Sequence, residues 1–418
     1  MRTYRQLFRA PGFAPLFLTC CLQNAATTIA GLALATGVWS RTGSPLLTAL
    51  SMFGPSLAQL AGATLLLSAA DRLPPRAALT GVAAATALLT AVLAAPGLPV
   101  AALFPVLLAM GLVGSVGGGV RNGLLNDLLP DGAYLLGRST LNIAVGVMQI
   151  AGFAAGGALV TVLSPAGTLL TAAGLHLAGA AVARLGLARR APRDPGRPSV
   201  AATWQVNSRL WAIPGVRPVY LALWLPNGLI VGCEALFVPF APAGAGLLLA
   251  GSALGMLAGD VLAGRFLPPR WRRRLAPLLR LLLAVPYLPF VLHPPLPVAV
   301  GLATVAAVGY CSTLLLQERL VELTPAEHRG QALGLHTSGM LTMQAVCAAL
   351  AGSLAELTSP AAAITLLAAA SVAVTLLLAG PLREPQPTWT RGRSSGDASL
   401  FRRISRTTGA VSPRPKSR

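Results

Sequence analysis

Few ionisable side chains lie within the long apolar stretches of this sequence, and they are the first candidates for chemistry. Glu234 follows Tyr220 by 14 residues in an apolar segment that runs roughly from 216 to 239. A carboxyl group in an apolar cavity favours its protonated form, so it can take up and release a proton near neutrality. We predict that Glu234 is a proton-coupling carboxylate or a cation-binding group. The alternative is a carboxylate hydrated at the outer end of its segment.

For three other ionisable residues we favour a structural role. Arg121 follows a glycine cluster, and snorkelling or pairing at an inner gate is favoured over contact with a substrate. For Asp260, pairing with a nearby arginine is favoured over proton coupling. For His176, in the middle of an apolar run, a hydrogen-bonded core position is favoured over a proton relay.

Uncharged polar and aromatic residues are the remaining candidates for a substrate cavity. They are Gln23, Asn24, Asn227, Trp224 and Tyr310. A buried amide in lipid needs a hydrogen-bond partner, so each amide faces another helix or a polar cavity. For Asn24 and Asn227 both interpretations stay open. Trp224 and Tyr310 are interpreted equally as substrate contacts or as packing residues.

Composition places these residues in a membrane protein. The chain has 418 residues, of which 54% are hydrophobic and 11% charged, and its mean hydropathy is +0.68. Its one lysine, Lys416, is near the C-terminus, which excludes a P-loop ATPase. The sequence contains neither HExxH nor GxSxG, so we expect no enzyme, no metal site and no cofactor. The five cysteines all lie in apolar stretches and are expected to be core residues.

Twelve apolar segments approach the roughly 20 residues that cross a bilayer. They run approximately over residues 13–39, 45–70, 77–95, 98–124, 133–162, 165–187, 216–239, 245–266, 275–292, 296–317, 327–355 and 360–382. If both termini are cytosolic, every basic residue except Arg41 lies on or near the cytosolic side. The net charge of +20 is therefore a signal of topology, and no nucleic-acid partner is expected.

Paired sequence patterns indicate a duplication. LFRAPGFAPLFL at 7–18 aligns with LWAIPGVRPVYL at 210–221, which places Gly12 on Gly215 and, further on, Asn24 on Asn227. We predict an N-terminal six-helix half (1–187), a cytosolic linker (188–213), a C-terminal six-helix half (214–382) and a basic disordered cytosolic tail (383–418).

Two basic loops and one glycine-rich segment resemble family motifs. The first loop, ADRLPPR, supplies Asp71, Arg72 and Arg76, with Pro74 and Pro75 replacing the Gly-Arg pair of the motif. The second copy supplies Asp260, Gly264 and Arg265, with Asp260 where glycine is usual. Predicted helix 5 contains Gly152, Gly156 and Gly157, with Phe153 where proline is usual.

These motifs resemble the major facilitator superfamily, most closely its drug-proton antiporter branch. LTPAEHRGQALGL at 323–335 also resembles the start of helix 11 in that branch, and its Thr324–Glu327 fits a capping box. The resemblance implies an all-α fold of twelve transmembrane helices in two pseudo-symmetric halves, with helices 1, 4, 7 and 10 lining a central cavity. Asp71 and Arg72 lie where predicted helix 2 leaves the membrane, and we expect them to hold the cytosolic side closed in one state and release it in the other, with simple topology anchoring as the alternative.

The function implied is secondary active transport by alternating access. Because the predicted cavity helices have few charges, we expect proton-coupled export of a hydrophobic or amphiphilic small molecule, a drug or a natural product. The alternatives are an importer or lipid flippase of the same fold, or a sensor that does not transport. We expect a bacterial cell-membrane protein, in contact with lipid, that acts as a monomer.

Overall fold

The structure is a computed structural model that describes residues 4–65, 73–129, 133–191, 200–213, 215–266, 268–325 and 328–383. Every regular element within these residues is helical. Residues Met1–Leu382 form one compact unit. The predicted tail lies almost wholly outside the described residues, as do Asp71 and Arg72 of the first basic loop.

The first half contains six long helices. They are α1 (Phe13–Thr42), α2 (Pro45–Leu65), α3 (Pro75–Leu93), α4 (Val100–Leu128), α5 (134–163) and α6 (165–186). Helical hydrogen bonds run through both α5 and α6, but the backbone between them is kinked at Ser164, whose φ of 68° and ψ of 165° are not helical. Pro165 follows directly. Proline cannot continue the hydrogen-bond ladder of the preceding turn, so the chain changes direction here.

The second half repeats this plan with more irregular helices. They are α7 (Val216–Ala235), α8 (Ala245–Val261), α9 (Pro269–Leu282), α10 (Leu296–Leu323), α11 (Arg329–Leu357) and α12 (Pro360–Leu377). A short helix, Phe237–Phe240, follows α7, and a 3₁₀-helix, Val285–Leu292, follows α9. A π-helical turn, Leu262–Phe266, follows α8, and a 3₁₀ turn at Gly309–Cys311 interrupts α10.

The predicted number of spans agrees with these helices. Ten segments of the described chain are long and apolar enough to cross a membrane. One of them, Leu136–Gly186, has 51 residues and contains both α5 and α6. The remaining helix, α2, has 21 residues and is about 31 Å long, which matches the hydrocarbon thickness. With α9 and the following 3₁₀-helix counted as one span, Leu275–Leu292, the described chain contains twelve helical segments of membrane length.

The two halves are pseudo-symmetric at the level of individual residues. Gly12 and Gly215, matched by the sequence alignment, each precede the first helix of their half with left-handed backbone, at φ values of 88° and 82°. Between the halves, α2 packs against α11 and α5 against α8. Because the second half repeats the first, these two contacts are related by the same pseudo-two-fold axis.

The two ends of the bundle differ in how the hydrophobic core joins the halves. At the Ser44 end, where α1 turns into α2, one core cluster joins Leu32 and Phe153 of the first half to buried residues of the second, and the first half has a further cluster of its own around Leu103. At the Arg76 end, where α3 begins, each half has its own cluster, one around Phe13 and one around Tyr220. The halves are therefore packed together at the Ser44 end. The charge pattern predicts this end to be extracytoplasmic.

Two details differ from the sequence-based expectation. Glu318, Arg319 and Glu322, expected to follow span 10, lie inside its last helical turns, because the helix continues to Leu323. The predicted linker contains a 13-residue helix, Val200–Ala212, whose Leu210 is buried against the second half. The proposed capping box at Thr324 extends into residues 326 and 327, which are outside the described residues.

Candidate functional site

A cavity of about 450 Å³ lies inside the first half, between α1, α2, α3 and α4. Gln23 and Asn24 of α1 line it, and so does Arg121 of α4. The cavity exists because α1 and α4 make few direct contacts with each other, while α2 packs against α4 and α1 packs against α5 and α6. Its wall mixes leucine and valine side chains with hydroxyl and amide groups.

The two amides of α1 bind other helices as well as lining the cavity. Asn24 Nδ2 donates a hydrogen bond to the Val145 carbonyl of α5 over 2.9 Å. Gln23 Nε2 donates to the His176 carbonyl of α6 over 3.3 Å, and the Gln23 carbonyl oxygen is hydrogen-bonded to the ring of His176. His176 is fully buried, in the hydrogen-bonded core position that the sequence favoured.

Asn227 occupies the matching position in the second half and makes the matching contact. Gln344 Nε2 of α11 donates a hydrogen bond to Asn227 Oδ1 over 3.0 Å, and Asn227 is buried. The pair α7–α11 in the second half corresponds to α1–α5 in the first, where Asn24 binds Val145. The matched asparagines therefore connect the same pair of helices in each half.

Trp224 belongs to an aromatic stack near the Arg76 end. Its ring is 4.9 Å from the ring of Tyr220 and 5.9 Å from that of Trp211, which lies on the short helix before α7. The Trp224 indole N–H donates to the His336 carbonyl of α11 over 3.1 Å. The stack fixes the linker helix to the second half.

Glu234 and Tyr310 meet in a polar cluster within the second half. The Tyr310 hydroxyl donates to Glu234 Oε1 over 3.3 Å, joining α10 to α7. Ser252 of α8 lies close to both Glu234 and Tyr287, which lies beyond α9. The hydroxyls of Ser252 and Tyr287 are buried and make no hydrogen bond of good geometry to a described residue. We call these four residues the Glu234 cluster.

The surroundings of the Glu234 cluster are apolar. Cys233 and Leu236, its neighbours on α7, are fully buried, and the Phe237, Tyr287 and Phe290 rings contact one another beside it. Within the described chain, no arginine forms an ion pair with Glu234. A lone carboxylate is costly in such surroundings, so the hydroxyls are the groups that stabilise its charge.

The glycines predicted for helix 5 lie at close helix contacts. A Cβ at Gly152 would lie 2.9 Å from the Cβ of Thr28 on α1, and one at Gly156 would lie 3.3 Å from the Cα of Ile29. A Cβ at Gly157 would lie 3.2 Å from the Cα of Gly246 on α8. These glycines let α5 approach α1 within its own half and α8 across the interface.

The residues of the basic loops lie at the Arg76 end. Arg76 is in the first turn of α3, and Asp260 is in the last turn of α8. Gly264 and Arg265 lie in the π-helical turn that follows, with Arg265 exposed. Asp71 and Arg72 lie outside the described residues. The structure therefore describes four residues of the two loop motifs, which are Arg76, Asp260, Gly264 and Arg265.

Sequence reasoning missed Ser252, Tyr287 and Thr19. Each is a single polar residue in an apolar run, and its position opposite Glu234 or Arg121 depends on how separate helices pack. The position of Arg121 in the wall of the same cavity as Gln23 and Asn24 was also not predicted. Ser56 and Gln59 lie three residues apart on α2 and therefore on one face of this helix. This spacing of polar residues was the signal in the sequence that one face of α2 borders a cavity.

Comparisons with known proteins agree with the fold. The family model described as Major Facilitator Superfamily matches residues 240–413, which is less than half of the chain. No curated protein matches the sequence. Among solved structures, a POT family transporter in complex with 5-aminolevulinic acid has a TM-score of 0.71 and 12% identity, covering 89% of this chain and 97% of that chain.

Two further structures have similar scores. A peptide transporter POT in complex with sulfate has a TM-score of 0.68 and 14% identity, covering 91% of this chain and 98% of that one. A bacterial homolog to the human lysosomal transporter Spinster, in an inward-facing and unoccupied conformation, has a TM-score of 0.68 and 14% identity, with coverages of 91% and 97%. The chain therefore has the major facilitator fold of twelve helices in two halves.

Proposed function

We propose that this chain is a secondary active transporter of the major facilitator superfamily that moves an amphiphilic small molecule by alternating access. The observation that carries the proposal is the distribution of the cores. At the Ser44 end one core cluster contains residues of both halves, whereas at the Arg76 end each cluster belongs to a single half. Two rigid bodies joined at one end of a bilayer can rock so that a cavity between them opens to either side.

The Glu234 cluster is the proposed coupling site. A carboxyl group held by Tyr310 and surrounded by buried hydroxyls has the groups needed to exchange a proton or a small cation with the solution. No nucleotide site is needed, because an ion gradient supplies the driving force.

Export of a drug or a natural product is the proposed direction, as the resemblance to the antiporter branch suggests. The second candidate is uptake of a peptide-like or amino-acid-like solute. It is favoured by the structural similarity to POT family transporters in complex with 5-aminolevulinic acid and with a thioalcohol conjugated peptide. Both candidates place the protein in the cell membrane with both termini cytosolic.

A toxicity screen followed by flux measurement tests the proposal. Cells with and without the protein are exposed to amphiphilic toxic compounds, and compounds with changed toxicity are tested in proteoliposomes under an imposed pH gradient. We expect gradient-driven movement by the wild-type protein and none in protein-free vesicles. Absence of movement for every compound would contradict the transport function.

Glu234→Gln tests the coupling site within the same assay. The neutral amide cannot release a proton, so gradient-driven movement should fall to the background while exchange of labelled for unlabelled solute continues. Glu322→Gln, which changes an exposed carboxylate of α10, is the matched control and should leave both activities unchanged. Gradient-driven movement by Glu234→Gln at the wild-type rate rules out the coupling role.

A further inference from the structure

The guanidinium of Arg121 lies in the wall of the first-half cavity without a carboxylate partner there. None of the described residues that line the cavity is aspartate or glutamate. The guanidinium has five N–H donors, and among the described residues it donates one hydrogen bond, to Cys20 Sγ over 3.9 Å. A thiol is a weak acceptor, so the described residues use little of the hydrogen-bonding capacity of Arg121, a residue that lines the cavity.

A buried hydroxyl beside Cys20 also has no partner. Thr19 is 4% exposed, lines the cavity, and its Oγ1 makes no hydrogen bond to a described residue. A buried hydroxyl without a partner is unfavourable, and a ligand oxygen would satisfy it. Thr19 is next to the residue that Arg121 contacts, so the two unsatisfied groups lie in one part of the cavity.

The nearby amides are committed to helix contacts. Gln23 binds His176 and Asn24 binds Val145, and both amides are neutral, so neither can neutralise the charge of Arg121. The rest of the wall includes apolar side chains such as Leu34, Leu79 and Met110. The volume of about 450 Å³ is typical of small-molecule pockets.

We infer that the first-half cavity binds an amphiphilic solute through one anionic group, which Arg121 pairs with and the Thr19 hydroxyl hydrogen-bonds, while the apolar wall holds the rest of the molecule. A guanidinium pairs a carboxylate or sulfonate with two parallel hydrogen bonds, which gives direction as well as charge. This inference rests on the proposed transport function and specifies its substrate class. It also assigns Arg121 to the solute, where the sequence favoured the gate.

Three fluorescent probes that differ only in their head group test the inference. Dansylglycine is anionic, dansylglycinamide is neutral and dansyl-ethylenediamine is cationic at pH 7. Binding to the purified full-length protein is measured by fluorescence anisotropy, with protein-free detergent micelles as the blank. We expect the anionic probe to bind about tenfold more tightly than the amide, and the cationic probe to bind most weakly.

Variants connect this preference to the two residues. Arg121→Gln should reduce the affinity for dansylglycine about tenfold and leave that for dansylglycinamide unchanged, which also shows that the variant is folded. Arg121→Lys keeps the charge without the paired geometry and should retain part of the preference. Thr19→Val should cause a smaller loss. Arg138→Gln, at an exposed arginine of α5, is the matched control and should behave as the wild type.

The inference is overturned if the wild-type protein binds the three probes equally, if it binds none of them, or if Arg121→Gln keeps the anionic preference. If Arg121→Gln fails to fold, the order of the three probes on the wild-type protein decides. These outcomes are independent of transport. Flux of a neutral compound in proteoliposomes would support the transporter while the binding result rejects the anionic substrate.

Discussion

In the first half of this chain the polar groups line a cavity, and the positively charged side chain of Arg121 is part of its wall. In the second half the polar groups lie around the Glu234 carboxylate, between packed helices. Arg121 borders an open volume between four helices. Glu234 is enclosed by hydroxyls from the neighbouring elements. The two halves have the same order of helices, but the second half has more irregular helices and different polar side chains. The proposed roles assign solute binding to the half with the Arg121 cation and ion coupling to the half with the carboxylate.

The matching helix contacts within each half also differ in their residues. In the first half the glycines at the α1–α5 contact are on α5, where Gly152 faces Thr28. In the second half both helices supply them: a Cβ at Gly232 of α7 would lie 2.8 Å from the Cys347 carbonyl oxygen of α11, and Gly339 of α11 lies against the Trp224 ring of α7. Close packing is preserved although the positions of the glycines differ.

The largest stability effect is expected at these glycines. Gly232→Ala places a methyl group against the backbone of α11, which cannot rotate away, and should lower the free energy of unfolding by about 1–3 kcal/mol. Gly152→Ala should have a smaller effect, because it meets the side chain of Thr28. Thermal unfolding in detergent measures both. Gly174→Ala, with nothing within 4 Å of the added Cβ, is the control, and equal effects at all three positions would contradict the packing described.

A medium effect is expected at the two glycines that start the halves. Gly12→Ala and Gly215→Ala force a side chain into left-handed backbone and should each cost about 1 kcal/mol. Similar losses in thermal unfolding would support the equivalence of the two halves. Gly330→Ala, in the first turn of α11 and without positive φ, should be neutral. A loss at only one of the two matched glycines would break the comparison.

The smallest effect is expected for the Asn227–Gln344 hydrogen bond. A double-mutant cycle with Asn227→Ala and Gln344→Ala should give a coupling free energy of about 0.6 kcal/mol, because interhelical hydrogen bonds in membranes are weak on average. Asn24 binds a backbone carbonyl, so the first half has no equivalent side-chain pair. Additive losses in the cycle would show that the pair contributes nothing specific.

The sequence predicted the helices well, because twelve apolar runs and their proline boundaries are local signals. The duplication was readable for the same reason, and the positive φ values of Gly12 and Gly215 agree with the alignment that paired them. Asn24 and Asn227 were expected either to line a cavity or to bind a helix. The structure places Asn24 in both roles and Asn227 in a helix contact.

The arrangement of the sites could not be predicted in the same way. Ser252 and Tyr287 are near Glu234 because α8 and the segment after α9 pack beside α7, and no periodicity in any one segment encodes that contact. Arg121 was assigned to the gate because its distance along α4 placed it towards the Arg76 end. Its position in the cavity depends on the gap between α1 and α4, which is a property of several helices together.

Locking the Ser44 end tests the central claim most directly. The Ser44 hydroxyl donates to Glu356 Oε1, and Gly352 lies against the backbone of Pro45 and Leu46. In a variant whose five native cysteines are replaced by alanine, a disulfide between Ser44→Cys and Glu356→Cys would join the halves where they share a core. Solute exchange in proteoliposomes is measured before oxidation, after oxidation and after reduction, with each single cysteine as a control. Alternating access predicts that exchange stops when the disulfide forms and returns on reduction; undiminished exchange with the disulfide formed would contradict it.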